Sequence, residues 1–506
     1  MTNVYLEETY GKGIYQKILL SLVSIFPLVS GYYFQTTVYD GYVPEFTCNL
    51  TNVPFDEVTW FHNPDDEEPS SLQCFYATPA MMTRKKCPQF LYDQSVMREN
   101  YVTEYDLVCD REYLLKWLDT IYLLFQCLAW LWAIISDKIG RRPVIFGLIF
   151  AQVLFSIILL CVNNLIVIFI SRAVLGSASM LTYIGFLYIM EMVPDSKRYL
   201  TNIYWFTWSV GYTLTTAVAY FSRTSFYINL WLLAIFLLYI PLLVLLKESP
   251  KWLFTRNRMA ESVRIIGEIG KINKINFQGD KEKIGSLSQE KILADSERVE
   301  ESLVRYFLQP KLSLYSLVLA ITYLIMVSSY YVTSNSGDFV SKNIFFNTLI
   351  QGILELPTAF TSTWICAKFK RRPSNLTLMV IFSILILING ILFEYHYVRM
   401  VTGIICKFIL TNVLCTYSFV IGEITPISLH GSGFFAVITI SHLFSAFSSF
   451  LYRTEIRPIV INTVFSVLYA FLGSLSYFIL PETKDLETIL TISDAKKLKR
   501  EKCFGK

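Results

Sequence analysis

The stretch Ser136-Asp137-Lys138-Ile139-Gly140-Arg141-Arg142-Pro143 lies between two apolar runs, Tyr113 to Ile135 and Val144 to Val162. A bilayer crossing takes roughly 20 such residues, and each run supplies them. Three bases and the single acid Asp137 fill the turn, and short basic loops stay on the cytoplasmic side. Two spans joined by a cytoplasmic turn set the orientation of every other span by counting. Composition agrees with a polytopic membrane protein: 54% of the 506 residues are hydrophobic and mean hydropathy is +0.45. That excludes a soluble enzyme built around one large core.

Upstream of the turn, residues 1–17 are polar, with Glu7 and Glu8, and read as a cytoplasmic N-terminus rather than a cleaved leader. Residues 18–38 form the first expected span. Residues 39–112 are far too long for a hairpin connection. They hold Cys48, Cys74, Cys87 and Cys109 and the sequon Asn49-Leu50-Thr51, which predicts an extracellular loop with two disulfides and a glycan on Asn49. Three pairings are open on sequence alone. The stretch from Asp40 to Glu112 carries 14 acids against 5 bases, a cap able to draw cations inward or simply a solvated surface. Cys127, Cys161, Cys366, Cys406 and Cys415 fall in or beside spans and read as small apolar residues.

Downstream, spans are expected at 165–192, 200–221 and 227–246, closing an N-terminal bundle over 113–246 with the first span. Residues 247–311, with 13 bases and 10 acids, read as a cytoplasmic loop of short surface helices. The layout then repeats at 312–334, 344–367, 376–395, 400–422, 434–452 and 458–480, a C-terminal bundle over 312–480, and ends in a cytoplasmic tail at 481–506. Such an internal repeat is a mark of transporters. The sequon Asn375-Leu376-Thr377 falls on the cytoplasmic side and is expected to stay unmodified.

The opening turn resembles the signature loop of the major facilitator superfamily, G-x3-D-R/K-x-G-R-R/K, through Asp137, Gly140, Arg141 and Arg142, with Ala133 in the place of the first glycine. Arg371 and Arg372 mark its counterpart in the second half, where Ala367 and Lys370 replace the acid and glycine. Further blocks narrow the resemblance to the organic cation, anion and carnitine transporters. Val102-Thr103-Glu104-Tyr105-Asp106-Leu107-Val108-Cys109 resembles their T-E-W-D-L-V-C. Glu248-Ser249-Pro250-Lys251-Trp252-Leu253 resembles P-E-S-P-R-W-L, and Leu480-Pro481-Glu482-Thr483-Lys484 matches L-P-E-T-K.

The resemblance implies an all-α membrane protein with the major facilitator fold, twelve transmembrane helices in two six-helix bundles. It implies a polyspecific carrier of organic cations, zwitterions such as carnitine, or anions, working by alternating access at the plasma membrane as facilitator or exchanger. Its partners would be the solute and the bilayer. A cofactor, metal, nucleic acid or enzymatic role is not expected, and the monomer is the expected form. Arg172, Glu191, Arg198 and Glu423 join the signature residues as gating positions. Two departures point the other way: His430 replaces the arginine of E-L-Y-P-T-x-x-R, and Ala367 removes an acid, so a transport-inactive sensor or scaffold is a competing reading. A sugar porter of the same superfamily is the third. Bulky Leu128, Trp130, Leu131 and Trp132 replace a glycine-rich stretch and are expected to alter helix approach.

Three sets of candidate substrate residues follow. Glu355 and Lys407 lie at similar depth in two spans, where charges pair or line water, and are expected to form an ion pair along the cavity. Tyr204, Trp205, Trp208, Tyr323, Tyr330 and Tyr331 match cavity positions of the family and suit stacking or cation–π contacts; core or lipid-facing roles are the alternative. His442 stands where the resemblance places an aspartate in cation carriers and an arginine in anion carriers, with Ser445, Ser448 and Ser449 on the turns beyond. A neutral imidazole offers one donor and one acceptor, which suits neutral or zwitterionic solutes and a pH-sensitive uptake; a packed core histidine is the alternative.

Overall fold

In the computed structural model, residues 13–49, 74–77, 84–87, 89–274, 301–335, 343–446, 458–484, 486–496 and 498 are described. The expected order of spans is present. They are α1 (Ile14–Asp40), α2 (Cys109–Ile139), α3 (Arg141–Cys161), α4 (Leu165–Met192), α5 (Phe206–Ser222), α6 (Ser225–Leu242), α7 (Pro310–Ser334), α8 (Ile344–Glu355 and Thr358–Lys368), α9 (Arg371–Ile391), α10 (His396–Ile424), α11 (Ile427–Phe444) and α12 (Ile459–Ile479). Among the described residues, ten of these are long and apolar enough to cross a bilayer unaided. The other two are α5, shortened because residues 195–205 wind as a 3-10 helix, and α8, interrupted at Leu356 and Pro357. Proline lacks the amide that continues a helical ladder.

Two helix starts, those of α3 and α9, differ from the sequence reading for one shared reason. α3 begins at Arg141 rather than Val144, because Glu248 accepts from the amides of Arg141 and Arg142 at 3.0 and 3.1 Å. α9 begins at Arg371 rather than Leu376, because Glu482 accepts from the amides of Arg371 and Arg372 at 2.8 and 3.2 Å. A carboxylate at a helix N-terminus satisfies orphan donors and complements the dipole. The two signature arginines of each half are therefore the first turn of a helix. Gly140, at φ 115°, links α2 to α3, and a Cβ there would meet Glu248 Oε2 at 2.5 Å; only glycine fits.

Bulky side chains on α2 do not crowd its seam. Trp130 and Leu131 are outward-facing, Trp132 lies at the edge with its Nε1 donating to Ser177 of α4 at 2.8 Å, and Ala129 and Ala133 are buried. Small residues on the packed side let the helices approach closely. A Cβ at Gly431 would sit 3.0 Å from the Ala133 carbonyl.

The loop after α1 contains two antiparallel pairs, β1 (Phe46–Cys48) with β4 (Phe90–Tyr92), and β2 (Phe75–Ala77) with β3 (Arg84–Lys86). Of the three pairings, the disulfides are Cys48–Cys87 and Cys74–Cys109. Most of the acid-rich part of the loop, and Leu50 and Thr51 of its sequon, lie outside the described residues. So do Ser448 and Ser449, beyond the end of α11, and residues 275–300 of the central loop. The rest of that loop includes short helices at Pro250–Thr255, Met259–Ile272 and Leu303–Phe307, as its charge pattern predicts.

Candidate functional site

A cavity lies at mid-depth between the halves, walled by α1, α2, α4 and α5 on one side and by α7, α8, α10 and α11 on the other. Its volume is about 90 Å³. One water takes roughly 10–15 Å³ on that measure, so there is room for several waters or a small solute. Trp205 and Trp208 come from the α5 side, Tyr323, Tyr330 and Tyr331 from α7, and His442 from α11. Hydroxyls of Ser30, Ser179, Thr182, Ser209, Thr411 and Ser418 and the amide of Gln126 stand between the rings.

Several rings are tied across the divide. Tyr183 of α4 and Tyr323 of α7 share a hydrogen bond of 3.1 Å between hydroxyls. Trp208 Nε1 donates to Tyr330 at 3.2 Å, and Tyr331 donates to Gln126 at 3.4 Å. The His442 ring meets Tyr183 edge-on with centroids 5.8 Å apart, and its Nδ1 lies 2.9 Å from the Ile438 carbonyl. A nitrogen facing a carbonyl carries the proton.

Two of the sequence candidates stand one layer back. Lys407 Nζ is 3.0 Å from Glu355 Oε1, both side chains are fully buried, and neither lines the cavity. The pair touches the cavity through Tyr330, whose hydroxyl donates to Glu355 at 3.0 Å and whose ring centroid lies 3.6 Å from Lys407 Nζ. Tyr204 is also off the wall. It is fully buried and donates to the Thr182 carbonyl at 2.7 Å, inside the N-terminal half. Tyr122, Tyr183, Gln126, Ser179 and Thr182 are wall residues that the sequence reading passed over. The signal for α4 was present: Ser177-Ala178-Ser179 and Thr182 form a small, hydroxyl-rich run in a helix buried on nearly all sides.

Both ends of the cavity are shut by contacts between halves. On the side of the cysteine-bearing loop, Tyr39 of α1 and Thr348 of α8 are 2.6 Å apart, and the Tyr39 ring stacks on Phe345 with centroids at 5.6 Å. Tyr212 of α5 donates to Gln351 at 3.4 Å nearby. Arg172 belongs to this end as well. Its Nη2 is 2.5 Å from Asp40 Oδ2, whose other oxygen accepts from Ser225. That is an intra-half brace among α1, α4 and α6, buried and paired as charge inside a membrane must be.

At the opposite end, Asp137 holds α11 by its N-terminus, accepting from the amides of Gly431 and Ser432 at 3.0 and 2.7 Å. Arg141 bridges Asp137 at 2.8 Å and Glu191 at 2.7 Å. His430 crosses from the other half, its Nδ1 2.8 Å from Glu191 Oε1 and its Nε2 3.3 Å from the Gly422 carbonyl. The second-half counterpart is thinner. Arg371 reaches Glu423 at 3.4 Å, and Thr483 donates to Glu423 at 2.6 Å. Ala367 has no carboxylate with which to hold a helix end.

A strap after α12 reinforces this closure. Thr488 donates its amide to Asp195 Oδ2 at 2.7 Å and is contacted by Arg198 at 2.5 Å, both from the first half, and by Lys251 of the central loop at 3.2 Å. The next residues, Ile489 and Leu490, accept from the amides of Ile427 and Ser428 in the second. Burial alone would raise the Asp195 pKa, yet Lys251 and Arg198 hold it well below the usual carboxylate range. Burial pushes Lys251 down and Asp195 opposes that. Glu248, the cap of α3, is pushed up by burial against its backbone donors and Arg141.

Comparison with known proteins agrees with this architecture. The chain is 24% identical to an organic cation transporter-like protein of Drosophila melanogaster, over 98% of this chain and 91% of that one. It is 23% identical to solute carrier family 22 member 6 of Bos taurus, over 82% and 77%. A solved structure of the proton:xylose symporter XylE bound to 6-bromo-6-deoxy-D-glucose superposes with a TM-score of 0.66 at 15% identity, over 96% of this chain and 99% of that one. Residues 76–491 match the family described as sugar (and other) transporter. With two six-helix halves, paired signature loops and a cavity between them, the chain is a multi-pass membrane protein of that transporter family and has the major facilitator fold.

Proposed function

We propose that the protein carries small organic solutes across the plasma membrane by alternating access, with both termini in the cytoplasm. The observation that supports this reading is the cavity walled by both halves and shut at both ends by contacts between them. Rocking the halves apart at one end while the other stays latched would expose the cavity to each side in turn. Organic cations, anions, zwitterions and neutral compounds, sugars included, form the panel for uptake into cells expressing the protein. Saturable uptake of any of them supports a carrier; binding without uptake supports a sensor. A second measurement addresses the cycle itself. With Tyr39→Cys and Thr348→Cys combined, oxidation joins α1 to α8, and uptake is expected to fall at least tenfold and return on reduction. Uptake undiminished by a formed crosslink would exclude opening at that end.

A further inference from the structure

We infer that Lys407, acting through Tyr330, closes the cavity to organic cations, so that the solute class it takes is uncharged ring compounds bearing hydrogen-bonding groups. This rests on the reading of the cavity as the transport site. No Asp, Glu, Lys or Arg is among the described residues that line it; the wall is aromatic rings interleaved with hydroxyls, one amide, the His442 imidazole, the Cys415 thiol and the apolar side chains of Met180, Val327 and Leu414. Such rings would ordinarily attract a cation through their negative faces. Here the ring of Tyr330 already has one, the Lys407 ammonium, 3.6 Å from its centroid. A ring whose quadrupole is engaged by a buried ammonium repels a second positive charge at short range, where low dielectric strengthens the repulsion.

The acid does not reverse this. Glu355 Oε1 is held by Lys407 at 3.0 Å and by the Tyr330 hydroxyl at 3.0 Å, so its charge is neutralised behind the wall. Trp208, donating to the same Tyr330 oxygen at 3.2 Å, fixes the ring in that position. Lys407 is thus a positioning and selectivity residue that does not touch the solute. Uncharged solutes lose nothing to this arrangement. They gain stacking on the remaining rings and hydrogen bonds to Ser418, Thr182 or Gln126, which a charged compound would need in addition to a counter-ion.

The test uses three probes of one shape: 3-tert-butylphenol, the 3-hydroxy-N,N,N-trimethylanilinium cation, and 3-hydroxybenzenesulfonate. Binding is measured on the full-length protein in lipid nanodiscs, counting only binding lost when Ser418→Phe fills the cavity. The parent protein is expected to bind the phenol at least tenfold more tightly than either ion. Lys407→Met leaves the Glu355 carboxylate uncompensated and frees the Tyr330 face, so the cation should gain at least tenfold. Glu355→Gln leaves the ammonium alone, and the sulfonate should gain instead. The double variant restores neutrality but leaves the Tyr330 face free, so the cation should still gain over the parent, by less than in Lys407→Met, and the sulfonate should not gain; this also covers the case where one single variant does not fold. Equal binding of cation and phenol by the parent, no cavity-specific binding of the phenol, or a double variant in which the cation gains nothing over the parent would overturn the inference. Saturable uptake of an organic cation would overturn it too while leaving the carrier reading intact.

Discussion

At the scale of single residues, His430 shows how a substitution can keep a contact while changing its character. An imidazole is shorter than the arginine that the family pattern places there, yet it reaches Glu191 across the halves at 2.8 Å. It shares that carboxylate with Arg141, so Glu191 joins two elements of its own half to one of the other. A hydrogen bond to a charged group contributes about 1.5–3 kcal/mol, and each 1.4 kcal/mol is about tenfold in an equilibrium. His430→Ala is therefore expected to raise the population open at that end by about tenfold or more, and His430→Arg to leave it near the parent value. Cys415 lines the cavity and reports this directly. Its labelling by a membrane-impermeant thiol reagent applied from the face at which His430 lies, read by mass spectrometry of its peptide, should rise in the alanine variant alone. Equal labelling in all three proteins would remove His430 from the latch.

At the scale of elements, the strap carrying Thr488 is a clamp whose pH response has a definite sign. Asp195 has its pKa lowered on folding, so its contribution is present above the unfolded carboxylate value, about 3.9, and is lost as pH falls through the lower folded value. The clamp is expected to hold unchanged from about pH 5 to 8. Hydrogen exchange at the Thr488 amide, corrected for its intrinsic rate, measures it: protection should be flat over that range and drop in Asp195→Asn. Protection that fades between pH 7 and 5 would mean that another group governs the strap.

The order of the helices was legible in sequence because each needs a long apolar run, and that pattern is one-dimensional. Helix starts were less so, because α3 and α9 are initiated by Glu248 and Glu482 from more than a hundred residues away. The cavity was half legible. Family positions led to Trp208, Tyr330 and His442, but on helices buried all round, periodicity does not say which face is wall and which is core. Tyr204 and Tyr183, both on such faces, were for that reason exchanged.

At the scale of the molecule, the cysteine-bearing loop and the bundles are joined by covalent as well as packed contacts. Cys74–Cys109 ties the loop to the start of α2 across a sequence separation of 35, and Cys48–Cys87 spans a separation of 39. In the chain-entropy account, closing loops of this length contributes about 4 kcal/mol each. Replacing Cys74 and Cys109 by serine together is expected to lower the melting temperature of the purified protein and its surface abundance. Replacement of Cys161, exposed and unpaired by a disulfide, should do neither. An unchanged melting temperature in the double-serine protein would mean that the loop folds without its bridge.

The two inner latches are unequal, since Asp137 holds a helix end and Ala367 has nothing to hold with. For a passive carrier this inequality carries no direction. Round a closed cycle without an energy source the rate constants must balance, so accumulation stops when both compartments match, however lopsided the latches. Microscopic reversibility also requires that the maximal rate divided by the half-saturating concentration be identical for influx and efflux. A changed latch can raise or lower that common ratio but cannot make it differ between the two directions. Ala367→Asp should therefore change the influx-to-efflux ratio of the maximal rate and that of the half-saturating concentration by one and the same factor, and leave the final level of the solute inside the cell where it was.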